Sequence, residues 1–569
     1  MGSENMDFFS KIYSDERLLK PIPKKVNYVI LASILLIYAI NVLLRINEHH
    51  YPFFDDYAYY NVVFKMDVLG GIGKFWQNVY SGHIQSGWPP LYLFFITPFI
   101  EPASDFFNAA VYVNAFFGLI MILTVYWAGK TLFNPIVALI STFLISINPT
   151  VLERSAVLAP ENLLILFSTL GLVFFVKGFD KNRYWILGLL FSYLAFISKP
   201  NGIFLPTAFT LTLFFLALFK WKVLTKRYLY ISVILGSFVV FILFHTKLEA
   251  LLHSEVLQFF TWKINGTDST EYNALTGMAT YPDAMSFVRE DFWGFIQRIA
   301  WGLIRELHRY AVGLFVSVEW TYKSVFSLNL GIIIVPFFIY LLVHEKNIYM
   351  KYFFVTFALV IYLGCVPRAS VNHSTARYSI MITPVFYFYL SPLLYSFALW
   401  IKEKWRMSPK VFVPTILLFS LLINGIIYHK SIKQFSFFPD FNPNYQKALD
   451  WLKNNTKKGD GVIHNPNSQY FYNWYVPWIR EITVSPTIGG KDIPFPRLLK
   501  RFKEFNVKYI TINASAVSPY NKSEYRYFLR GRIIRENGYL KITDLPSQVE
   551  VVFQDHSPPK EIIILKIKD

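Results

Sequence analysis

The chain has 569 residues, 54% of them hydrophobic, 19% aromatic and only 16% charged, with a net charge of +18. This balance excludes an ordinary soluble globular chain and describes a polytopic membrane protein. The surplus of Lys and Arg gathers in short loops between apolar runs, where it anchors the chain and sets its topology, so no nucleic-acid partner is needed to explain it.

Apolar runs recur near 26–44, 107–128, 136–147, 161–177, 184–198, 202–219, 228–244, 324–343, 351–366, 379–400 and 411–428. They predict about eleven spans. The first run starts late and is long enough to stay in the membrane as a span, so no cleavable signal peptide is expected. The run 89–100 is too short to cross and opens on paired prolines, which predicts a helix lying at the interface. One alternation satisfies nearly all the basic loops. It puts Lys11 to Lys25, Lys130, Lys177 to Arg183, Lys220 to Arg227, Lys346, Lys351 and Lys402 to Lys410 on the inside. The loop after the first span, 148–160, 199–201, 245–310, 367–377 and everything after Tyr428 then fall outside.

The first outer loop reads Tyr51-Pro-Phe-Phe-Asp-Asp-Tyr-Ala-Tyr-Tyr60. Aromatic neighbours partly desolvate Asp55 and Asp56, and adjacent like charges disfavour joint ionisation, so one of the two is suited to accept a proton. With equal weight, Asp55 simply caps a helix starting near Asp56. Further on come His83 and Gly87-Trp-Pro-Pro-Leu-Tyr92, with Trp88 directly before the proline pair.

The second outer turn carries Glu153, Arg154 and Glu161. Glu161 follows a proline at the head of an apolar helix, where the helix dipole favours an anion. A tight turn, Ser198-Lys-Pro-Asn-Gly202, sets Lys199 at the outer surface, suited to a phosphate or to snorkelling. An amphipathic helix is expected over 284–307, with Arg298, Arg305 and Arg309 on one face and apolar residues over much of the rest. Such a helix lies on the membrane, and its basic face serves either a lipid-linked phosphate or anionic headgroups. The last outer patch holds Arg368, His373, Arg377 and Tyr378.

After Tyr428 hydropathy collapses. A helix around Tyr445 to Leu452, a strand 461–464, a basic helix 496–505, a strand 507–513 and a closing hairpin of 549–554 with 562–567 predict a small α/β domain. The expected division is a cytoplasmic segment 1–25, a membrane domain 26–430 and an outer soluble domain 431–569. The single cysteine, Cys365, leaves that domain without an internal disulfide. No metal-ligand spacing, Gly-rich phosphate loop or nucleophile elbow appears, so no cofactor is expected.

Taken together, these stretches resemble the GT-C glycosyltransferases, in the branch holding protein O-mannosyltransferases and the aminoarabinose transferases that modify lipid A. Phe54 to Tyr60 looks like the family's paired acidic motif, Trp88 to Tyr92 like its Pro-Pro-Leu motif, Arg154 to Glu161 like its acidic turn, and Ile197 to Gly202 like its Lys-containing turn. Arg377-Tyr378 with Pro384 is similar to its Arg-Tyr and proline pattern before a late span. The chain departs in having Trp88 where some relatives have Lys or His, and Asp56 where Glu is commoner. The phosphate contact expected there falls to His83, Lys199 or the Arg298 to Arg309 face.

The resemblance implies a polytopic GT-C fold and an inverting transfer of a hexosyl or pentosyl group. The donor would be a polyprenyl-phosphate sugar and the acceptor an unidentified hydroxyl. The charge alternation puts the site on the outer face, and the low cysteine count with the Lys, Ile, Asn and Phe bias suits a prokaryotic cell membrane. The resemblance also implies Asp55 as base, Asp56 as orienting group, Lys199 and the basic face as phosphate ligands, and Arg377 and Tyr378 in the substrate region. A transporter of lipid or sugar is the competing reading.

Overall fold

The computed structural model describes residues 23–48, 72–80, 90–99, 107–219, 236, 284–312, 345, 347–370, 380–405, 443–463, 480–481, 487–488, 491–492, 495–504, 506–513, 533–536, 539–555 and 562–568. Apolar helices make up the first part. They are α1 (Lys24–Glu48), α2 (Phe75–Tyr80), α3 (Pro90–Ile96), α4 (Phe107–Leu132), α5 (Pro135–Ser146), α6 (Pro149–Ser155) and α7 (Glu161–Asp180). Then follow α8 (Arg183–Ser198), α9 (Phe204–Phe219), α10 (Ala284–Glu290), α11 (Phe292–Val312), α12 (Ile348–Ser370) and α13 (Thr383–Lys404).

Among the described residues, six stretches are long and apolar enough to cross a membrane: Lys24–Ile46, Ala109–Leu132, Glu161–Asp180, Pro200–Ala217, Ile348–Val366 and Ile380–Ile401. α5 and α6 together form a seventh, bent by 63°. α8 is apolar but has only 16 residues. The other expected spans, 228–244, 324–343 and 411–428, lie outside the described residues apart from residue 236.

The bend has a local cause. Asn148 is extended, and Pro149 has no N–H with which to continue the preceding helix, so α5 must end and α6 begin anew. Asn148 Oδ1 caps the new helix by accepting from Val151 N at 3.0 Å. α5 starts the same way, with Asn134 Oδ1 accepting from the Ile136 and Val137 amides at 3.0 and 2.9 Å ahead of Pro135.

The helix expected to lie along the interface is α3, and it is less superficial than its sequence implies. Leu91, Tyr92, Leu93 and Ile96 are buried, in contact with α8 and α4, while Phe95 and Phe99 remain exposed. Aromatic edges seat it: Phe94 meets Phe75 and Trp76, and Phe95 meets Phe117.

The last part begins with α14 (Pro443–Asn455), β1 (Gly461–Ile463), β2 (Arg480–Glu481), β3 (Thr487–Ile488), β4 (Lys491–Asp492) and α15 (Phe495–Glu504). It ends with β5 (Val507–Asn513), β6 (Ile533–Glu536), β7 (Tyr539–Ile542), β8 (Val549–Asp555) and β9 (Ile562–Ile567). Five strands form one sheet in the order β2-β1-β5-β9-β8. The pairs of β1 are parallel, and β9 is antiparallel to both of its neighbours. Alternation along β9 sends Ile563, Leu565 and Ile567 to one face with Leu498 and Phe502 of α15. Ile562 and Ile564 go to the other face, with Ala448, Leu449 and Leu452 of α14. The sheet is thus covered on both sides by amphipathic helices.

Candidate active site

The acidic turn of the sequence is a buried hub where five helices meet. Glu153, Arg154 and Ser155 end α6, and all three are buried. Asn114 on α4 holds the following turn, donating to the Arg154 carbonyl at 2.8 Å and the Val157 carbonyl at 2.6 Å. Asn162, in the first turn of α7, returns the tie by donating to the Asn114 carbonyl at 3.0 Å. Its Oδ1 lies 3.1 Å from Ser155 Oγ, which also accepts from the Tyr38 hydroxyl of α1 at 2.6 Å. At the other end of α6, Asn148 Nδ2 donates to Tyr387 Oη of α13 at 2.9 Å.

Two buried ion pairs belong to this region. Arg154 Nη2 lies 3.2 Å from Glu153 Oε1. Lys199 Nζ donates to Glu161 Oε1, joining the start of α7 to the turn after α8. Removing a charge from water costs several kcal/mol, and only a well-bonded partner offsets it. Lys199 is placed by a close backbone approach. It ends α8 in an extended conformation, and Pro200–Ile203 turns back so tightly that a Cβ on Gly202 would lie 2.3 Å from the Ala195 and Phe196 backbone. The sequence expected Glu161 and Lys199 to sit near a substrate, and the structure brings the two side chains together.

Of the expected arginine row, Arg298 is turned toward the protein. α10 stops at Glu290. Asp291 Oδ1 then accepts from Gly294 N at 2.8 Å near the start of α11. Arg298 is buried, with its guanidinium 4.4 Å from the Phe287 ring centre, and Glu306 is fully buried two turns on. Arg305 lies 5.7 Å from the Trp301 ring centre. α11 packs on α12, where Tyr362 Oη donates to the Leu303 carbonyl at 2.7 Å. Trp293, Ile296 and Ile304 are exposed on the opposite side. The Arg298 side therefore borders the protein and the apolar side faces out, because lipid solvates Trp and Ile but not guanidinium. Arg309 lies one turn beyond Arg305 in α11. Asp55, Asp56, His83, Trp88, Arg377 and Tyr378 lie outside the described residues.

Several members of the hub were missed in the sequence: Tyr38, Arg45, Asn114, Ser155, Asn162 and Tyr387. One signal was present. Tyr38, Asn41 and Arg45 recur at helical spacing inside an apolar span, so they share a face, and polar groups at that depth turn inward. All three are buried, and Arg45 Nη1 donates to the Asn41 carbonyl at 3.0 Å.

With this geometry in place, the chain can be set beside known proteins. Residues 88–245, which carry the whole hub turn and Lys199, match the family of dolichyl-phosphate-mannose-protein mannosyltransferases. The fold is similar to ArnT from Cupriavidus metallidurans bound to undecaprenyl phosphate, at 10% identity and a TM-score of 0.52, over 95% of this chain and 98% of that one. It is also similar to the archaeal oligosaccharyltransferase AglB from Archaeoglobus fulgidus, in complex with an inhibitory peptide and a dolichol-phosphate. There the identity is 13% and the TM-score 0.50, over 85% of this chain and 69% of that one. No curated protein sequence matches the chain. The fold is thus similar to the folds of these two proteins, in line with the GT-C resemblance of the sequence motifs.

Proposed function

We propose that this chain is an inverting glycosyltransferase that moves a monosaccharide from a polyprenyl-phosphate donor to an acceptor hydroxyl on the outer face of the membrane. The observation that carries the reading is the mannosyltransferase-family match over 88–245, the stretch in which Glu153, Arg154, Glu161 and Lys199 are buried together. The polyprenyl phosphates named with ArnT and AglB supply the donor class. The outer orientation rests on the alternation of Lys and Arg between loops.

In this reading Asp55 takes the proton of the acceptor hydroxyl, and Asp56 orients that hydroxyl. The acceptor oxygen bonds to the anomeric carbon from the face opposite the phosphate. The bond from that carbon to the phosphate oxygen breaks, and the phosphate leaves with the electron pair. Phosphate is a good leaving group, so cations that stabilise its charge can replace a general acid. Lys199 supplies one such cation, with the Arg298, Arg305 and Arg309 row, His83, Trp88, Arg377 and Tyr378 in the surrounding substrate region. The division into a membrane domain 26–430 and an outer soluble domain 431–569 belongs to the same proposal.

A transporter reading would also claim the bent α5–α6 pair, since broken helices with buried charges line many transport sites. Chemistry separates the two. Purified protein in detergent micelles, with no compartments to cross, should release polyprenyl phosphate from a lipid-linked sugar and glycosylate a hydroxyl acceptor. Asp55→Asn should lower turnover by about 10² to 10⁴ while leaving donor binding intact. Absence of any transfer product across hexosyl and pentosyl donors would return the chain to the transport reading. Asn at 55 with turnover within a few-fold of the wild type would dismiss that residue as base.

A further inference from the structure

The turn that joins α7 to α8 lies at the other end of α7 from Glu161, and α7 is long enough to cross a membrane. It therefore belongs to the membrane surface opposite the Glu161–Lys199 pair. Its cations are seated on rings. Lys177 Nζ lies 5.5 Å from the Trp127 ring centre of α4 and 5.9 Å from that of Tyr184 on α8. The Arg183 guanidinium lies 5.4 Å from the same Tyr184 ring centre. Among the described residues neither cation forms an ion pair, so the rings hold both charges in place without neutralising them.

Toward the membrane interior the seam between α7 and α8 is lined by rings. Phe167 and Phe174 are seven residues apart on α7, as are Tyr184 and Phe191 on α8, so each pair shares one face of its helix. The four interleave. Ring centres are 6.3 Å apart from Phe167 to Phe191, 5.4 Å from Phe191 to Phe174 and 6.0 Å from Phe174 to Tyr184, with planes inclined by 20°, 9° and 30°. The column is half-buried and extends about 15 Å along α7 from Lys177 to Phe167. Exposed Trp127 and Leu190 flank it. The turn itself is locked: Trp185 Nε1 donates to the Phe175 carbonyl at 3.2 Å, and its ring fills the space where a Cβ on Gly178 would lie, 1.8 Å from Cδ1. Gly178 follows Lys177 and Trp185 follows Tyr184, so the same lock sets the cation against its ring.

We propose that this seam binds one anionic phospholipid of the bilayer, with its phosphate between Lys177 and Arg183 and an acyl chain along the ring column. Any outward apolar face meets lipid; two uncompensated cations at the head of one seam select among lipids. The planar guanidinium suits a phosphate, and Lys177 adds a second charge-assisted donor. Lys181 stands on the same turn against one carboxylate, Asp180, so the local field attracts an anion. A zwitterionic headgroup would bring its own ammonium into that field. The seated cations and stacked rings have already given up rotamer freedom, which lowers the cost of ordering them around a lipid. Sugar transfer plays no part at this site, so its test is separate from that of the transferase reading.

The test uses full-length protein in detergent micelles, titrated separately with dioleoylphosphatidylglycerol and dioleoylphosphatidylcholine, with bound lipid counted by native mass spectrometry. The wild type should retain one phosphatidylglycerol well beyond the concentration at which phosphatidylcholine is lost. Lys177→Gln and Arg183→Gln should each weaken that lipid about tenfold, and the double variant about a hundredfold. Phe174→Leu keeps an apolar side chain but interrupts the column, and should weaken it a few-fold. Lys177→Arg keeps the charge and should retain the lipid. Lys404→Gln removes a cation seated 4.7 Å from the Trp400 ring centre at the end of α13, and should change nothing. Undiminished phosphatidylglycerol binding in the double variant, an equal loss in Lys404→Gln, or phosphatidylcholine held as tightly by the wild type would each overturn the proposal. So would displacement of the lipid by an equal concentration of glycerol 1-phosphate, because the occupant would then be a free phosphate.

Discussion

The two parts of this chain are built inside out relative to each other. Between residues 24 and 312 the described part buries Arg45, Glu153, Arg154, Glu161, Lys199, Arg298 and Glu306, and exposes Tyr28, Leu36, Phe116, Ile186, Trp293 and many other large apolar residues. Among the described residues after 443, no charged side chain is buried, Thr511 is the buried polar residue, and Val551 is the exposed large apolar one. The difference follows from the solvent. Lipid accepts Leu and Phe but cannot hydrate a carboxylate, so the membrane part draws its charges together inside, where they must pair. Water reverses the preference in the sheet. A charge at the centre of the first part is expensive and needs a bonded partner to stay there, whereas the interior of the second part is held by apolar packing.

The comparison predicts that disturbing either interior destabilises its own part, for different reasons. The largest effect is expected at Glu161→Leu, which leaves the Lys199 ammonium buried without its carboxylate and should cost about 3–5 kcal/mol in thermal unfolding of the detergent-solubilised protein. Adding Lys199→Met should recover most of that loss while abolishing transfer. A double variant as unstable as the single one would show that the pair is not what stabilises the turn. Next, Leu565→Ala empties a fully buried position between the sheet and α15 and should cost roughly 2–5 kcal/mol. Its effect should appear as faster hydrogen exchange in β5, β8 and β9, with α7 unchanged. Loss of protection in both parts would mean that the two interiors are one cooperative unit.

The smallest effect concerns pH. Tyr509 donates to the Asn455 carbonyl at 3.0 Å, and burial, with the Asp460 charge adding to it, holds its hydroxyl protonated to a higher pH than usual. The folded sheet therefore keeps this proton more tightly than the unfolded chain. The stabilisation is complete below the ordinary tyrosine value of about 10 and fades as pH rises through the native value. Denaturant midpoints followed between pH 9 and 11 should fall more steeply in the wild type than in Tyr509→Phe, and parallel curves would remove Tyr509 from the account.

What could be read from the sequence differs between the parts for the same physical reason. In the sheet, alternation at period two states which residues face inward, so strands 507–513, 549–554 and 562–567 fall within a residue of β5, β8 and β9. The apolar runs likewise located α1, α4, α7 and α13. Direction was harder to read in the membrane helices. Helical spacing placed Arg298 and Arg305 on one side of α11 but could not say whether that side met lipid or protein, and the Phe287 contact settled it. Tyr38 and Ser155 gave no sign of each other, because a single hydrogen bond over 117 residues leaves no periodic trace. The paired motifs at Glu161 and Lys199 were visible as polar interruptions, yet only the fold shows that the two side chains meet.

The short length of α5 has a consequence for the bilayer itself. Its 12 residues rise only about 18 Å, while a hydrocarbon layer is about 30 Å deep. A helix of that length ends within the apolar slab, and the chain from Asn148 to Glu161 turns at that depth on bonds supplied by Asn114, Asn148 and Asn162. A turn at such a depth has no water to bond, so it takes its hydrogen-bond partners from the protein itself, and the polar residues of the bend hold the chain where lipid could not.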